Sequence, residues 1–175
     1  NIQGTDDISQ IRDSHIIVIT AGLSRKPGMT REDLLQKNAA ILKGLCLEIK
    51  RLSPNAIIIV VTNPLDLMAH FCLKTTGFNP AQVIGMGVSL DASRFANLIS
   101  RELNIPVTEI EATVIGSHGQ GMIPLPRFTK VKGTFLNHSE HQISLKVLSS
   151  SVERAREVGL KTLVFAKDIL VLQKV

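Results

Sequence analysis

The chain has 175 residues, of which 44% are hydrophobic, and this suits one globular domain or two small ones with a packed core. Its net charge is +5, but the basic residues are scattered and there is no Trp or Tyr, whereas nucleic-acid binding uses clustered charge and stacking rings. No apolar run approaches the roughly 20 residues of a membrane span, and no basic-then-apolar signal segment opens the chain. We therefore expect a soluble cytoplasmic protein that binds neither nucleic acid nor membranes.

Three short apolar runs predict the strands of a sheet. They are rich in Ile and Val, and each is followed by a Gly or Asn-Pro break; they span residues 16–20, 56–62 and 83–86. Continuous β-branched runs of this length are typical of strands that are buried on both faces, as in parallel sheets.

Helices are predicted between these strands. Thr30 to Asp33 resembles a capping box, and apolar residues then recur at helical spacing until Pro54 follows the end of the helix. A second helix is predicted over residues 66–76, with Gly77 as its C-terminal cap. Because strands and helices alternate, the sequence predicts right-handed parallel crossovers and an α/β sheet.

The pattern changes after about residue 87, where we predict a domain boundary. The elements predicted beyond it are a helix near residues 92–103, a strand at 111–115, a Gly/Pro-rich loop at 116–126, a hairpin around Lys132-Gly133 and a helix from about Ser139. For the apolar stretch 160–175 the sequence predicts no role. Cys46 and Cys72 lie in apolar helical patterns without metal-site spacing, so we expect buried reduced thiols and no metal site.

Candidate ligand-binding segments follow each predicted strand. They are Thr20-Ala21-Gly22, Val61-Thr62-Asn63-Pro64 and Gly85-Met86-Gly87. In open parallel sheets, ligands bind at the carboxyl ends of the strands, where glycine permits close approach and an Asn amide offers both a donor and an acceptor. Each segment taken alone is more often ordinary turn chemistry.

A basic loop at residues 23–31 follows the first strand. Arg25, Lys26 and Arg31 lie in it among Gly and Pro residues, and guanidinium groups are the usual ligands for carboxylates. Such a loop could close over an anionic substrate. The alternative is a solvated basic loop, with Arg31 merely near a helix start.

An acid, a base and a histidine form the last candidate group. Asp91 and Arg94 are three residues apart at a predicted helix start, so that they share one face, and a local surface ion pair is the simplest alternative use. His118 follows a predicted strand in a glycine-rich loop, where a structural role is harder to assign. Histidine is also suited to general acid-base catalysis near neutral pH.

Taken together, five segments resemble the lactate dehydrogenase-like malate dehydrogenase family in order and in spacing, from about residue 4 to about residue 136. The segments are Ile16-Ile17-Val18-Ile19-Thr20-Ala21-Gly22, Arg25-Lys26-Pro27-Gly28-Met29-Thr30-Arg31 with Asn38, Val61-Thr62-Asn63-Pro64-Leu65-Asp66, Leu90-Asp91-Ala92-Ser93-Arg94-Phe95 and Gly116-Ser117-His118-Gly119. A joint match of five segments is far more specific than any one of them.

The resemblance implies a role for each catalytic and substrate-binding residue. His118 is the proton acceptor for the malate hydroxyl, and Asp91 orients its imidazole and stabilises the imidazolium. Arg94 binds the carboxylate next to the reacting carbon, Arg31 on a mobile loop polarises the carbonyl of oxaloacetate, and Asn63 binds the substrate oxygen. The cofactor NAD is implied to lie against Thr20, Ala21, Gly22, Asn38, Val61, Thr62 and Asn63.

Arg25 is the position that the resemblance links to substrate choice. An arginine here faces the distal carboxylate of a dicarboxylic acid, whereas lactate enzymes carry an uncharged residue such as Gln. A hydrogen bond to a charged group contributes about 1.5–3 kcal/mol, so Arg25 could favour malate over lactate by about ten- to a hundredfold. Malate and oxaloacetate are the predicted substrates; a lactate or other 2-hydroxy acid dehydrogenase, and an inactive or binding-only remnant, are the alternatives.

The sequence contains no G-x-G-x-x-G phosphate-binding motif, which in this family precedes the matching region. The resemblance therefore implies a central fragment with impaired activity. Residues 1–87 would be the C-terminal part of a Rossmann NAD-binding domain with an incomplete parallel sheet, and residues 88–175 part of an α+β catalytic domain. The family implies a homo-oligomer, a dimer or tetramer in the full-length enzyme, and a place in the tricarboxylic acid cycle.

Overall fold

A computed structural model of the chain describes residues 3–24, 26–118 and 121–136. The described residues fall into two compact units, the first unit up to Met86 and the second unit from Gly87. The predicted helix from Ser139 and the apolar stretch 160–175 lie outside the described residues.

The first unit is built on a three-stranded parallel sheet. Its strands are β1 (Ile16–Ile19), β2 (Ile57–Val60) and β3 (Val83–Gly85), and they lie side by side in that order. The register pairs Ile17 with Ile58 and Ile59 with Ile84. The predicted parallel sheet is confirmed, with each strand one to three residues shorter than its apolar run.

Two helices connect the strands, α1 (Arg31–Leu52) and α2 (Leu65–Thr76). The predicted capping box is present: the Asp33 N–H donates to Thr30 Oγ1 and the Thr30 N–H donates to Asp33 Oδ2, both at 3.0 Å. Hydrogen bonds from Thr30 hold the pKa of Asp33 below its ordinary value. Gly77 ends α2 in the left-handed conformation with φ 66°, as predicted.

The core of the first unit lies between the two helices and one face of the sheet. Ile17, Ile19, Ile58 and Val60 are buried with residues of α1 and α2. The other face is more open, since Ile16, Ile57 and Ile84 are 45%, 39% and 48% exposed. Right-handed crossovers that all advance in one direction place their helices on the same face. The prediction of strands buried on both faces is therefore wrong for one face.

The two cysteines pair across the helix interface. Cys46 on α1 and Cys72 on α2 are free, fully buried thiols whose sulfur atoms lie 3.4 Å apart. The hydrogen bond to Cys72, together with burial, raises the pKa of Cys46. The prediction of buried reduced thiols is confirmed.

In its described residues, the second unit combines helix α3 (Val88–Leu103) with short antiparallel strands, the α+β arrangement expected from the sequence. Helix α3 packs Phe95 and Ile99 against the strands. The strands are β4 (Ile110–Glu111), β5 (Val114–Gly116), β6 (Met122–Pro124), β7 (Lys130–Val131) and β8 (Thr134–Phe135). They form a sheet in the order β4-β7-β8 and a separate β5-β6 hairpin.

Three predictions in the second unit need correction or refinement. Helix α3 begins at Val88, four residues before the predicted start. The predicted strand over residues 111–115 is two strands in different sheets, and the predicted loop 116–126 contains β6, which pairs with β5. The hairpin at Lys132-Gly133 is confirmed, with φ values of 50° and 77°.

Short 3-10 helices complete the described elements, at Ile8–Ile11, Pro80–Gln82, Val107–Glu109 and Pro126–Phe128. No helix among the described residues is long and apolar enough to span a bilayer. Within the same residues, no group of three or more His, Cys, Asp or Glu side chains could hold a metal ion.

Candidate functional site

The predicted cofactor-side residues of the first unit lie at the carboxyl ends of β1 and β2. Thr20, Ala21 and Gly22 follow β1, and Val61 to Asn63 follow β2. The two segments are tied together, because the Val61 N–H donates to the Ile19 carbonyl at 2.8 Å and Thr62 Oγ1 donates to the Ala21 carbonyl at 2.7 Å. Parallel pairing thus brings together segments that are about 40 residues apart in sequence.

Gly22 is required at its position for reasons of space. A Cβ atom there would lie 2.7 Å from Thr62 Cγ2 and 3.3 Å from Asn38 Oδ1. The first distance is well below a normal carbon-carbon contact of about 3.5–4.0 Å. The glycine therefore permits the close approach of the two strand-end segments, which the sequence pattern had suggested only in general terms.

Asn38 on α1 bonds to the backbone of Leu23, which directly follows the first strand-end segment, and of Asn63 in the second. Its Oδ1 accepts the Leu23 N–H at 2.7 Å, and its Nδ2 donates to the Leu23 carbonyl at 3.3 Å and to the Asn63 carbonyl at 2.6 Å. Only 1% of Asn38 is exposed. The side chain predicted to lie on the cofactor side is thus engaged with the protein backbone.

The basic loop is described only in part, since Arg25 lies outside the described residues. Within the loop, the Met29 N–H donates to the Lys26 carbonyl at 3.1 Å, and Gly28 has a positive φ of 81°. Arg31 is the first residue of α1, directly after its N-cap Thr30, rather than part of the loop.

In the second unit, the buried carboxylate of Asp91 contacts both of the other candidate residues, His118 and Arg94. Asp91 Oδ2 lies 2.8 Å from His118 Nδ1, and Asp91 Oδ1 lies 3.3 Å from an Arg94 guanidinium nitrogen. Asp91 is fully buried, whereas the His118 and Arg94 side chains are 18% and 14% exposed. The alternative of a surface ion pair between Asp91 and Arg94 is therefore wrong, because the carboxylate is inaccessible to solvent.

The local fold explains why these residues meet. Since α3 begins at Val88, Asp91 lies in its first turn and Arg94 follows one turn later on the same face. His118 lies in the segment that connects the paired strands β5 and β6. Gly116 has φ 93°, and a Cβ on it would lie 2.5 Å from the Gly121 carbonyl oxygen. Gly116 and Gly121 thus shape the turn that holds His118, a role signalled in sequence only by the glycines around the histidine.

The arrangement of Asp91, His118 and Arg94 suits proton transfer to or from a substrate that carries a carboxylate. When His118 donates its Nδ1 hydrogen to Asp91, the lone pair of the ring is on Nε2, the nitrogen that can accept a proton. A buried carboxylate in contact with the ring stabilises the imidazolium that results. The Arg94 guanidinium has five N–H donors, more than its one contact with Asp91 uses.

Comparison with known proteins identifies similar sequences and structures. Residues 1–85 match the family model described as lactate/malate dehydrogenase, NAD binding domain. The chain is 49% identical, over 158 residues, to a malate dehydrogenase from Pelagibacter ubique, in an alignment that covers 89% of this chain and 49% of the relative. The chain thus spans about half the length of this relative.

Two solved structures share the fold. A malate dehydrogenase from Plasmodium falciparum is 37% identical with a TM-score of 0.84, and the match covers 93% of this chain and 53% of that one. A lactate dehydrogenase from Cryptosporidium parvum, complexed with lactic acid and nicotinamide adenine dinucleotide, is 34% identical with a TM-score of 0.80, covering 89% and 50%. The predicted α/β fold with a Rossmann-type parallel sheet is confirmed. From these comparisons we conclude that the chain is similar, in sequence and in fold, to lactate and malate dehydrogenases over about half of their length.

Proposed function

We propose that the chain is the central part of an NAD-dependent malate dehydrogenase, which interconverts (S)-malate and oxaloacetate. The observation that carries the proposal is the buried Asp91 carboxylate, which contacts both the His118 ring and the Arg94 guanidinium. A 2-hydroxy acid dehydrogenase needs these two groups beside each other, one for the proton and one for the carboxylate. The 49% identity to a malate dehydrogenase supports this choice within the family.

We assign the two units to the two halves of the reaction. Residues 1–87 are proposed to be part of the NAD-binding domain, in agreement with the family model that matches residues 1–85, and residues 88–175 part of the substrate domain. The carboxyl ends of β1 and β2 fit a nicotinamide cofactor, because Ala21 and Gly22 carry little or no side chain there and Asn63 adds an amide. When bound, NAD supplies the acceptor for the hydride that leaves the malate carbon.

Residues of the second unit are proposed to carry out the proton transfer. In malate oxidation His118 accepts the hydroxyl proton at Nε2, and Asp91 stabilises the charge that the ring acquires. Arg94 binds the carboxylate next to the reacting carbon. Arg31 polarises the carbonyl in the reverse direction, and Asn63 binds the substrate oxygen.

Arg25 is proposed to select the substrate by binding the second carboxylate of malate. The lactate dehydrogenase among the similar structures makes a monocarboxylate the relevant alternative. A charged hydrogen bond of about 1.5–3 kcal/mol predicts about ten- to a hundredfold preference for the dicarboxylate. The proposal also includes a place in the tricarboxylic acid cycle, a cytoplasmic location and a homo-oligomeric enzyme.

The test is an assay of NADH oxidation with oxaloacetate and with pyruvate. It should be run on this chain and on a completed chain, in which the corresponding flanking segments of the Pelagibacter ubique relative are joined to both ends. We expect the completed chain to prefer oxaloacetate. Preference for pyruvate would show the Arg25 argument to be wrong, and a completed chain that folds and binds NADH but reduces neither substrate would refute the proposed function.

A further inference from the structure

The contact between His118 and Asp91 joins two elements that are far apart in the sequence. Asp91 lies in the first turn of α3, whereas His118 follows β5, and the distance from Nδ1 to Oδ2 is 2.8 Å. Because hydrogen bonds of this kind span about 2.7–3.2 Å, a shift of β5 by about 1 Å relative to α3 would break it. The position of the paired strands β5 and β6 therefore decides whether Asp91 can hold the ring.

Apolar packing holds one face of the β5-β6 pair against the helix. Val114 of β5 and Met122 of β6 are buried in one cluster with Phe95 and Ile99 of α3. Apolar burial stabilises the association of these elements but has no directional preference. Directional hydrogen bonds are needed in addition to fix the strands along their length.

The Thr129 hydroxyl bonds to both strands at the end of the pair opposite His118. Its Oγ1 accepts the Thr113 N–H at 3.2 Å and donates to the Leu125 carbonyl at 3.1 Å. Thr113 directly precedes β5, and Leu125 directly follows β6. Thr129 is fully buried, so solvent water has no access to its hydroxyl.

Thr129 is in turn held by the β4-β7-β8 sheet. It directly precedes β7, and its carbonyl accepts the N–H of Leu136, the residue after β8, at 2.8 Å. The neighbouring Phe128 carbonyl accepts the Thr113 hydroxyl at 2.9 Å. Thr129 thus joins the β5-β6 pair to the other sheet of the same unit.

The need to satisfy a buried hydroxyl explains only part of this arrangement. A buried hydroxyl requires a partner, and the bond from Thr129 to the Leu125 carbonyl, four residues earlier, would meet that need by itself. The bond from the Thr113 N–H spans 16 residues of sequence and satisfies a backbone donor at the start of β5. This second bond suits Thr129 to fix the position of β5.

We propose that Thr129 is a positioning residue that acts through the β5-β6 pair and keeps the His118 ring at hydrogen-bond distance from Asp91. It fixes the strands at one end, and they carry His118 at the other. In malate oxidation the fixed ring presents Nε2 to the substrate hydroxyl, so the catalytic part of this inference rests on the proposed function. The positioning part rests only on contacts within the second unit.

Three variants separate this role from a general loss of stability. Thr129→Val replaces the hydroxyl by a methyl group, removes both of its bonds, and leaves the Thr113 N–H without that partner. Thr129→Ser keeps the hydroxyl and loses only a methyl group. Thr76→Val is the matched control, because it removes another buried Thr hydroxyl, which donates to the Cys72 carbonyl at 2.9 Å in the first unit.

The first measurement is the tautomer of the His118 ring in this chain, read by NMR from the chemical shifts of the ring nitrogens at a pH where the ring is neutral. The hydrogen bond to Asp91 selects the form with its hydrogen on Nδ1. In Thr129→Val we expect the ratio of the Nδ1–H form to the Nε2–H form to fall at least about tenfold, with Thr129→Ser and Thr76→Val within about twofold of the parent. An unchanged ratio in Thr129→Val, or an equal fall in Thr76→Val, would overturn the proposal.

Thr113→Val tests the same connection if Thr129→Val does not fold. Thr113 is only partly buried, and the substitution removes its bond to the Phe128 carbonyl but keeps its N–H. We expect the tautomer ratio to fall about threefold, as the loss of one ordinary hydrogen bond predicts. An unchanged ratio in folded Thr113→Val would contradict the proposal.

The second measurement uses the completed chain and links positioning to catalysis. We expect Thr129→Val to lower kcat for malate oxidation at least about tenfold, with the Kd for NADH within about twofold of the parent, and Thr129→Ser to keep kcat within about threefold. An unchanged kcat in Thr129→Val would overturn the catalytic part. An equal fall in Thr129→Ser or Thr76→Val would assign the effect to general stability and overturn it too. If the unsubstituted completed chain shows no activity with malate or oxaloacetate, the proposed function fails, while the tautomer ratio still decides the positioning role.

Discussion

The close approach of the two strand-end segments allows us to predict how substitutions at Gly22 and Thr62 change the free energy of unfolding. In Gly22→Ala the new Cβ would lie 2.7 Å from Thr62 Cγ2, so one segment must move by about 1 Å to restore a normal contact. Overpacking of this kind costs about 1–3 kcal/mol. Thr62→Ser removes the obstructing methyl group but keeps the hydroxyl that bonds to the Ala21 carbonyl, and we expect it to cost about 1 kcal/mol.

The two substitutions should not act independently. In the double variant the methyl is gone and the nearest remaining atom, Asn38 Oδ1, is at a tolerable 3.3 Å. We therefore expect the double variant to be about 1–2 kcal/mol more stable than the sum of the single effects predicts. The free energies of unfolding would be measured by urea titration with circular dichroism.

Gly44→Ala is the matched control for this cycle. Gly44 lies in the middle of α1 on its exposed side, and a Cβ there would have no atom within 4 Å. The same chemical change should here stabilise the chain by about 0.5–1 kcal/mol. Additive effects of Gly22→Ala and Thr62→Ser, or a neutral Gly22→Ala, would show that the Thr62 methyl group does not restrict residue 22.

Three further predictions concern charge. Asp91→Asn in the completed chain should lower kcat for malate oxidation about 100- to 10,000-fold, because an amide cannot stabilise the His118 imidazolium; a loss of less than tenfold would argue against the pair. Arg25→Gln should shift the ratio of kcat/KM values toward pyruvate by about ten- to a hundredfold, and an unchanged ratio would contradict its proposed contact. The pKa of Asp33 is held below 3.8 by Thr30, so its contribution to stability is present above that pH and is lost as the pH falls through the lowered value. Urea unfolding should therefore show Asp33→Asn to be less stable than the parent at pH 7, with the difference shrinking below pH 4; a constant difference would exclude this linkage.

The first unit could be predicted closely because its signals are local. Thr30 and Asp33 form a capping box from residues three apart, and Gly77 ends a helix through its own backbone conformation. The apolar runs that form β1 and β2 are long enough to be recognised as strands in the sequence. Exposure of Ile16 was not predictable, because it depends on which face of the sheet the helices cover.

The second unit was harder to predict because its elements are short or lack local signals. Helix α3 follows Gly87, which has no side chain to cap it, so no sequence pattern marks its start. Strand β6 has three residues, one of them Pro124, and its pairing with β5 overrides a loop-like composition. An Asp side chain is rarely fully buried, and no local pattern predicted the burial of Asp91. Its contact with His118, 27 residues away, was implied by the family resemblance and not by the spacing of the residues.

His118, held by Asp91, is proposed to transfer the proton in malate oxidation. The most direct test is the value of kcat for His118→Asn in the completed chain, together with the Kd for NADH. We expect a kcat about 100- to 10,000-fold below that of the parent, with NADH binding unchanged. A kcat within about threefold of the parent, well short of the effect of losing a general base, would show that His118 does not transfer the proton.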